Sequence, residues 1–487
     1  TLTLQLTEAQ RVLGIQMSNT PGGNGSPTEL RVVAGAVKDI AQVDCVQDLT
    51  GIPLTESPDT LPPTILDGTI NYGTGILTIR SHETIDAKPA SLVVPDNIWL
   101  SDSSGAKQIN LIGNAANSGL PFAGVLPADG SEDYVVTLKL TEYQRSEGIR
   151  ISDTTGGNGG ATLLDFEAGA LQDIGTNPNK QQYGITLTET ADTISPNFAN
   201  ASLNLGNGYL VFTSTEVIDA VPTSNIDASK WYLSNFTNAS LVADTDDAYG
   251  HPSYIHLDGA TFVGQSSDNM AVTIQLTEKQ RTKAIYLSST PGDEKEASGG
   301  GLPLMLEMQG GAFLDVAQNP NALIVDGEEV RAGGTKMSQT EPDDVAPHVI
   351  AATLHLNGVV LGMSAILQVF LSETVRIEPG FTVDYTKIHI SNFTSRPPCT
   401  QPGYYCVPLA GNYVGGEWTN APLALVTTDD SADGRGGLYF NVTLSEEQRV
   451  KALAIGGTGG GDGIATVLDV SAGAFFDRAG NPCIDQF

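Results

Sequence analysis

Two kinds of carboxylate in this chain could do chemistry. The first are Asp-rich loops: DTDDAYG carries Asp244, Asp246 and Asp247, and TDDSADG carries Asp429, Asp430 and Asp433. The second loop has the D-x-S-x-D-G spacing that opens an EF-hand, so Asp429, Asp430, Asp433, Asp244 and Asp246 are candidate calcium ligands. Phe440 stands where the bidentate Glu of such a loop belongs, which favours a solvated turn. The second kind recurs along the chain as Glu83, Glu216 and Glu373, and as Asp39, Asp173, Asp315 and Asp477. These could ligate a cation at domain junctions or form structural ion pairs. An Arg accompanies every copy, so structural ion pairs of these Glu and of Asp39, Asp173, Asp315 and Asp477 with Arg11, Arg145, Arg281 and Arg449 are expected.

No other residue set carries a reaction. The chain lacks G-x-S-x-G, H-E-x-x-H and a P-loop, its six histidines are scattered, and no catalytic residue is assigned. The expectation is a protein that is not an enzyme. Sequons stand at Asn235, Asn392, Asn200, Asn238 and Asn441; Asn24 is followed too closely by Pro27 to be a good acceptor. Cys399 and Cys406 flank TQPGYY and suit a local disulfide. Cys45 and Cys483 follow a Gly-Ala at the same spacing and are expected to pair between domains or between chains, or to stay free. Cysteine usage favours an oxidising compartment.

The elements that position these residues are copied. TLQLTEAQR, TLKLTEYQR, TIQLTEKQR and VTLSEEQR each read as a half-buried strand running into a short helical turn. Each closes on a capping box, Thr7/Gln10, Thr141/Gln144, Thr277/Gln280 and Ser445/Gln448. A Gly-rich loop follows, read as a surface turn joining two paired strands, and then a strand that leads to Gly-Ala and the recurring Asp. A second block, strand–turn–strand ending in Glu83, Glu216 or Glu373, occurs three times. The apolar Ile350–Leu371 aligns with it and is read as strands, not as a membrane span.

These patterns predict an all-β chain of tandem Ig-like antiparallel β-sandwich domains, each with one short capped helical turn. Residues 1–60 form the C-terminal half of a repeat. Full repeats cover 61–182 and 183–325, a linker covers 326–345, and a repeat with a Cys-containing insertion covers 346–487. A formal charge of -32 makes nucleic acid and anionic membrane unfavourable partners.

At DDVAPHVI, FLSETVR, VDYTKIHIS and LDVSAGAFFDRAGNP the sequence resembles the tandem Ig-like repeats of large secreted surface proteins, of the S-layer and cadherin-like type. Asp343, Ala346 and Pro347 give the opening of that pattern, Ser372, Glu373 and Val375 its centre, and Asp477, Ala479, Gly480 and Asn481 its close. Similar domains occur in protist and algal flagellar hairs and coats. The resemblance implies an extracellular structural protein assembling head to tail, with itself or with other coat proteins as partner and N-linked glycans on its surface. The alternative is an adhesin that grips a glycan or protein with loops of the last repeat. No cofactor beyond calcium is expected.

Overall fold

The computed structural model describes residues 2–105, 108–111, 124–234, 254–288, 290–292, 304–322, 335–336, 339–356, 365–376, 383–392, 406–410, 413–414, 417–418, 425–427 and 436–486. The chain divides into two compact units, Thr1–Ser195 with Leu314–Asn319, and Pro196–Phe313 with Pro320–Phe487. Among the described residues, no helix is long and apolar enough to cross a membrane.

The first unit opens with α1 (Glu8–Gln16), β1 (Glu29–Val32) and β2 (Asp48–Pro53), the last two paired antiparallel. The segment before α1 is not a strand, contrary to expectation. Its Leu2, Leu4 and Leu6 are exposed, because the strand against which its counterparts pair is not among the described elements of this half-repeat.

A complete repeat follows: β3 (Ile65–Asn71), β4 (Ile76–Asp86), β5 (Ile98–Ser101), β6 (Gln108–Asn110), β7 (Gly124–Leu126), β8 (Glu132–Lys139), α2 (Glu142–Arg150), β9 (Leu163–Phe166) and β10 (Gln182–Thr190). Alternation fixes the layers. In β4 the buried side chains Leu77 and Ile79 face Ile98, Leu100, Leu164 and Phe166, which are also buried, so two sheets close on one apolar interior. The strand order is β6-β5-β9-β10-β3-β4-β8-β7. β10 joins the sheets by pairing antiparallel with β9 (Ile185 opposite Leu164) and then parallel with β3 (Leu187 opposite Gly68). Residues 183–190 therefore complete this repeat instead of opening the next, which corrects the boundary expected at 182.

The second unit holds two repeats. The first comprises β11 (Phe198–Asn204), β12 (Tyr209–Ile218), β13 (Trp231–Ser234), β14 (Tyr254–His256), β15 (Thr261–Phe262), β16 (Asn269–Gln275), α3 (Glu278–Leu287), β17 (Met305–Met308), β18 (Thr335–Lys336) and β19 (Gln339–Glu341). Trp231 stands edge-on to Phe212 at 4.7 Å in its core. β18 pairs with β17 and β19 pairs parallel with β11, so the stretch expected as linker supplies the closing strand, as β10 does earlier. The last repeat comprises β20 (Val349–His355), β21 (Ile366–Arg376), β22 (Ile388–Ser391), β23 (Cys406–Pro408), β24 (Tyr413–Val414), β25 (Glu417–Trp418), β26 (Leu425–Thr427), β27 (Gly436–Thr443), α4 (Glu446–Ala454) and β28 (Val467–Val470). β20 and β21 pair antiparallel, as the strand reading of Ile350–Leu371 requires.

In the last repeat Gln486 does what Gln182 does earlier. Gln182 pairs with Phe166 and clamps both backbone groups of Ile65 with its amide; Gln486 pairs with Val470 and clamps both groups of Val349. Beyond this clamp, a groove of about 390 Å³ lies between β20 and β28, lined by Ala352, Leu354, Leu367, Ile390 and Leu468.

Two local expectations are corrected. The helical turns are helices of nine or ten residues. The Gly-rich loop does not join paired strands, since β8 pairs with β4 and β7 while β9 pairs with β5 and β10.

Candidate functional site

All four capping boxes form. The hydroxyl of Thr7, Thr141, Thr277 or Ser445 accepts from the amide three residues on, and that Gln accepts from the cap amide. The cap sets the phase of the helix and so the direction of its first-turn side chains. The first residue is always Glu, favoured there by the helix dipole, and the fourth is always Arg. The two meet as a bidentate pair. Arg145 Nε and Nη2 each donate to Glu142 at 2.7 Å; Arg281 does the same to Glu278 at 2.7 and 2.8 Å. Arg11 with Glu8 and Arg449 with Glu446 repeat the geometry. One edge of each guanidinium is fixed this way, which aims the remaining donors off the end of the sandwich.

In the first unit those donors of Arg11 reach across to the next repeat. Nη2 donates to Glu83 Oε2 at 2.9 Å and Nη1 to Asp59 Oδ2. Glu8 Oε1 accepts from the Thr84 amide at 3.0 Å. Asp59, Glu83 and Asp173 thereby come together, with a ligand oxygen of each within 4.8 Å of the others. Asp173 accepts from the backbone and side-chain amides of Asn177, and Asn177 also donates to Asp59 O. Val12 and Ile15 on α1 pack against Ile174 beside this group. Gly22 (φ +82°) lies so close that a Cβ there would sit 1.8 Å from Ile174 O. The Gly-rich loop is thus a contact surface for the following repeat. Arg145 is buried in the same way, donating to Tyr72 O at 3.0 Å and to Asp192.

The second unit contains the tightest version. Arg281 Nη1 donates to Leu205 O at 2.9 Å and to Asp343 Oδ2 at 2.5 Å, and Nη2 donates to Glu373 Oε2 at 2.7 Å. Glu278 accepts from the Thr374 amide at 2.8 Å. Asp343, Glu373 and Asp477 offer oxygens within 4.8 Å of one another, and all three are buried. Asp477 accepts from Asn481 N and Nδ2, while Asn481 Nδ2 also donates to Asp343 O. Burial pushes the Glu373 carboxyl up to about 8; Arg281 opposes the shift, and the charges of Asp343 and Asp477 add to it. Burial likewise raises Asp477 to about 6, against the Asn481 hydrogen bonds. Glu83, Asp173, Asp315 and Asp343 are raised as well, each chiefly by desolvation. Glu373 Oε1 is buried and accepts no hydrogen bond, and neither does Glu83 Oε1.

Of the expected ion pairs, Glu83 with Arg11 and Glu373 with Arg281 form, whereas those with the Asp of the same repeat do not. Arg11, Arg145, Arg281 and Arg449 do not bond Asp39, Asp173, Asp315 and Asp477 of their own repeats. The Arg leaves one end of a sandwich and the Asp loop forms the other, so within each unit an Arg approaches the Asp of the following repeat. Asp39 and Asp315 instead accept from amides four residues ahead in their own loops. Arg449 is held by Glu446 alone among the described residues. Sequence reasoning missed the helix Glu and the linker Asp59, Asp192 and Asp343. The signal was available as an invariant Glu in each LTE or LSE and an Asp shortly before each repeat-opening Pro.

The remaining predicted residues scatter. Asp244, Asp246, Asp429, Asp430 and Asp433 lie outside the described residues, as do Asn235, Asn238 and Cys399. Cys406 is disulfide-bonded. Cys45 and Cys483 are free thiols occupying the place of Asn179 and Asn321, whose side chains tie down the same loop. Cys483 Sγ accepts from the Ala474 amide at 3.2 Å, and Cys45 Sγ contacts Val33 O, so each serves its own loop and not an inter-domain bridge. Asn200 is exposed. Asn392 is 7% exposed and bonds Asp462, which removes it as a glycan acceptor in the folded chain. Asn441 sits in β27, half-buried, with its Oδ1 enclosed.

The chain matches no family model and no curated protein. Solved structures with some likeness include one described as "Structural basis for Dscam isoform specificity", 10% identical over 79% of this chain and 93% of the other, with a TM-score of 0.16. Another is "Marsupial T cell receptor", 10% identical over 84% of this chain and 96% of the other, with a TM-score of 0.12. The Ig-like, all-β architecture of this chain accordingly stands on its own strand order and pairing.

Proposed function

We propose that this chain is an extracellular structural protein, the repeat unit of a filament or surface coat built from S-layer-type Ig-like modules. One observation carries the reading: in each unit a helix Arg of one repeat is bonded to the linker Asp and to the core Glu of the next. Residues used identically at the junction inside each unit couple modules mechanically, and no comparable set converges on a single reaction centre among the described residues. The groove between β20 and β28 supports assembly through the last repeat, because an extended segment laid there would complete its sheets as β10 does earlier. Exposed sequons such as Asn200 would carry glycans, and the protein would have no enzymatic activity.

The test is to secrete the full chain from a eukaryotic host and follow sedimentation and electron micrographs over a rising concentration series. Concentration-dependent linear assemblies are expected. A strictly monomeric protein that binds specific members of a glycan array would replace this reading with an adhesin.

A further inference from the structure

We infer that the groove between β20 and β28 receives an extended strand of a neighbouring polypeptide, antiparallel to β28 and then parallel to β20, followed by an aspartate that Arg449 takes. Two other repeats show what belongs there. β10 and β19 each close their own repeat by a parallel pairing, with β3 and with β11. Two residues past the end of each closing strand stands an Asp, which accepts from Nη1 of the helix Arg of that repeat: Asp192 from Arg145, Asp343 from Arg281. In the last repeat β20 and β28 are the outer strands of their sheets among the described residues. Arg449 commits Nε and Nη2 to Glu446, and its Nη1 has no partner among the described residues.

Buried polar groups point to the same strand. In the first complete repeat Asp165 accepts from Ser101 Oγ at 2.6 Å and from the amide of Gly184, in β10, at 2.7 Å. Asp469 and Ser391 hold these two positions in the last repeat. They are 8% and 1% exposed, Ser391 Oγ has no partner, and Asp469 makes no side-chain hydrogen bond among the described residues. A buried carboxylate without a donor is costly, and the amide of an added strand supplies one as Gly184 does. Side-chain fit then sets the sequence of that strand. Ile185 lies opposite Leu164 in the first complete repeat, so an apolar residue belongs opposite Leu468. Ala352 stands where Gly68 does, each three residues past the one clamped by Gln486 or Gln182. At Gly68 a Cβ would lie 2.7 Å from Leu187 Cδ2. Ala352 carries that Cβ, so the added strand needs a small residue in the place of Leu187. Backbone bonds on two edges supply affinity, and these side chains choose the partner. The inference rests on the reading of this groove as an assembly contact and names what fills it.

The experiment titrates the full chain into fluorescein-labelled peptides that copy residues 184–194, unaltered or with Leu187→Ala, and reads anisotropy. The Leu187→Ala peptide is expected to bind about tenfold tighter than the unaltered one, and Ala352→Gly in the protein to reverse that order. Asp192→Asn in the peptide and Arg449→Ala in the protein should each weaken binding about tenfold, and no further when combined. Additive losses, an Ala352→Gly protein with unchanged preference, or binding of neither peptide overturns the inference. Should Ala352→Gly misfold, hydrogen exchange on the wild type decides: saturating Leu187→Ala peptide must slow amides on the free edges of β20 and β28, and unchanged exchange there refutes the strand. Assembly is read separately by sedimentation. A chain that takes the peptide yet stays monomeric keeps the strand and ends the filament reading. A chain that polymerises while ignoring the peptide ends the strand and leaves this face to a second copy.

Discussion

Arg281 Nη2 donates to Glu373 Oε2 at 2.7 Å, and the two residues belong to successive repeats. Their side chains are 5% and 6% exposed, so neither group has water to fall back on. Removing the cation strands Glu373 and Asp343 together. Arg281→Ala should therefore destabilise the second unit by about 3–5 kcal/mol, the cost of breaking a buried pair from one side. Arg449→Ala, which among the described residues touches only an exposed Glu446, should leave the denaturation midpoint where it was. Chemical denaturation of the two variants makes the comparison.

Glu373 also sets a pH dependence. Its folded-state value of about 8 lies above its ordinary one of 4.5, so between these limits the folded chain holds a proton that the unfolded chain has released. Stability from this group is complete below about pH 4.5 and falls as pH rises towards 8. Asp477, raised to about 6, adds a fall between roughly pH 4 and 6. In chelator, wild-type melting temperature should decline across that window more steeply than that of Glu373→Gln. Equal slopes would show that the carboxyl is not held in this way.

Much of this was legible in the residues. Capping boxes are local, and all four could be read because both partners lie three residues apart. Strand alternation was equally plain in β4 and β21. The closing strands are not legible, because QQYGITLTET and MSQTE carry no mark of which neighbour they pair with; register across repeats is a tertiary choice. The junctions were half legible. The recurrence of Glu83, Glu373 and the Arg, and so their pairing, is legible, but nothing in the sequence order marks Asp59 rather than Asp39 as the second partner of Arg11. A pair joining opposite ends of adjacent sandwiches leaves no periodic trace within either one.

Close packing at the first junction yields a paired test. Gly22 and Gly25 both hold φ near +82°, so alanine at either costs about 1–2 kcal/mol for the left-handed backbone. Gly25 has open space around a new Cβ, whereas at Gly22 it would strike Ile174 O. Gly22→Ala should lose roughly a further 1–3 kcal/mol as the backbone shifts. It should also increase proteolysis between residues 53 and 65, which Gly25→Ala should not. Matching melting curves for the two would mean that the loop does not seat against the next repeat.

The capping glutamines hold more than their own helices. Gln280 accepts from Thr277 N at 2.9 Å, and its Nε2 donates to His256 O and Asp258 O, both at 2.8 Å, tying α3 to the end of β14. Gln448 does the same with Pro408 O and Leu409 O. Among the described residues Gln10 has only its cap contacts. Glutamate at either position keeps the acceptor for the cap amide but removes the donor. At 280 it would set a carboxylate against two carbonyl oxygens. Gln280→Glu should thus destabilise by about 1–3 kcal/mol, the penalty of leaving buried acceptors unmade. Gln10→Glu should be neutral or slightly favourable, since an acidic third residue suits the helix dipole. Circular dichroism melts of the two variants at pH 7 would show the contrast, and equal effects would reduce the glutamine to a cap alone.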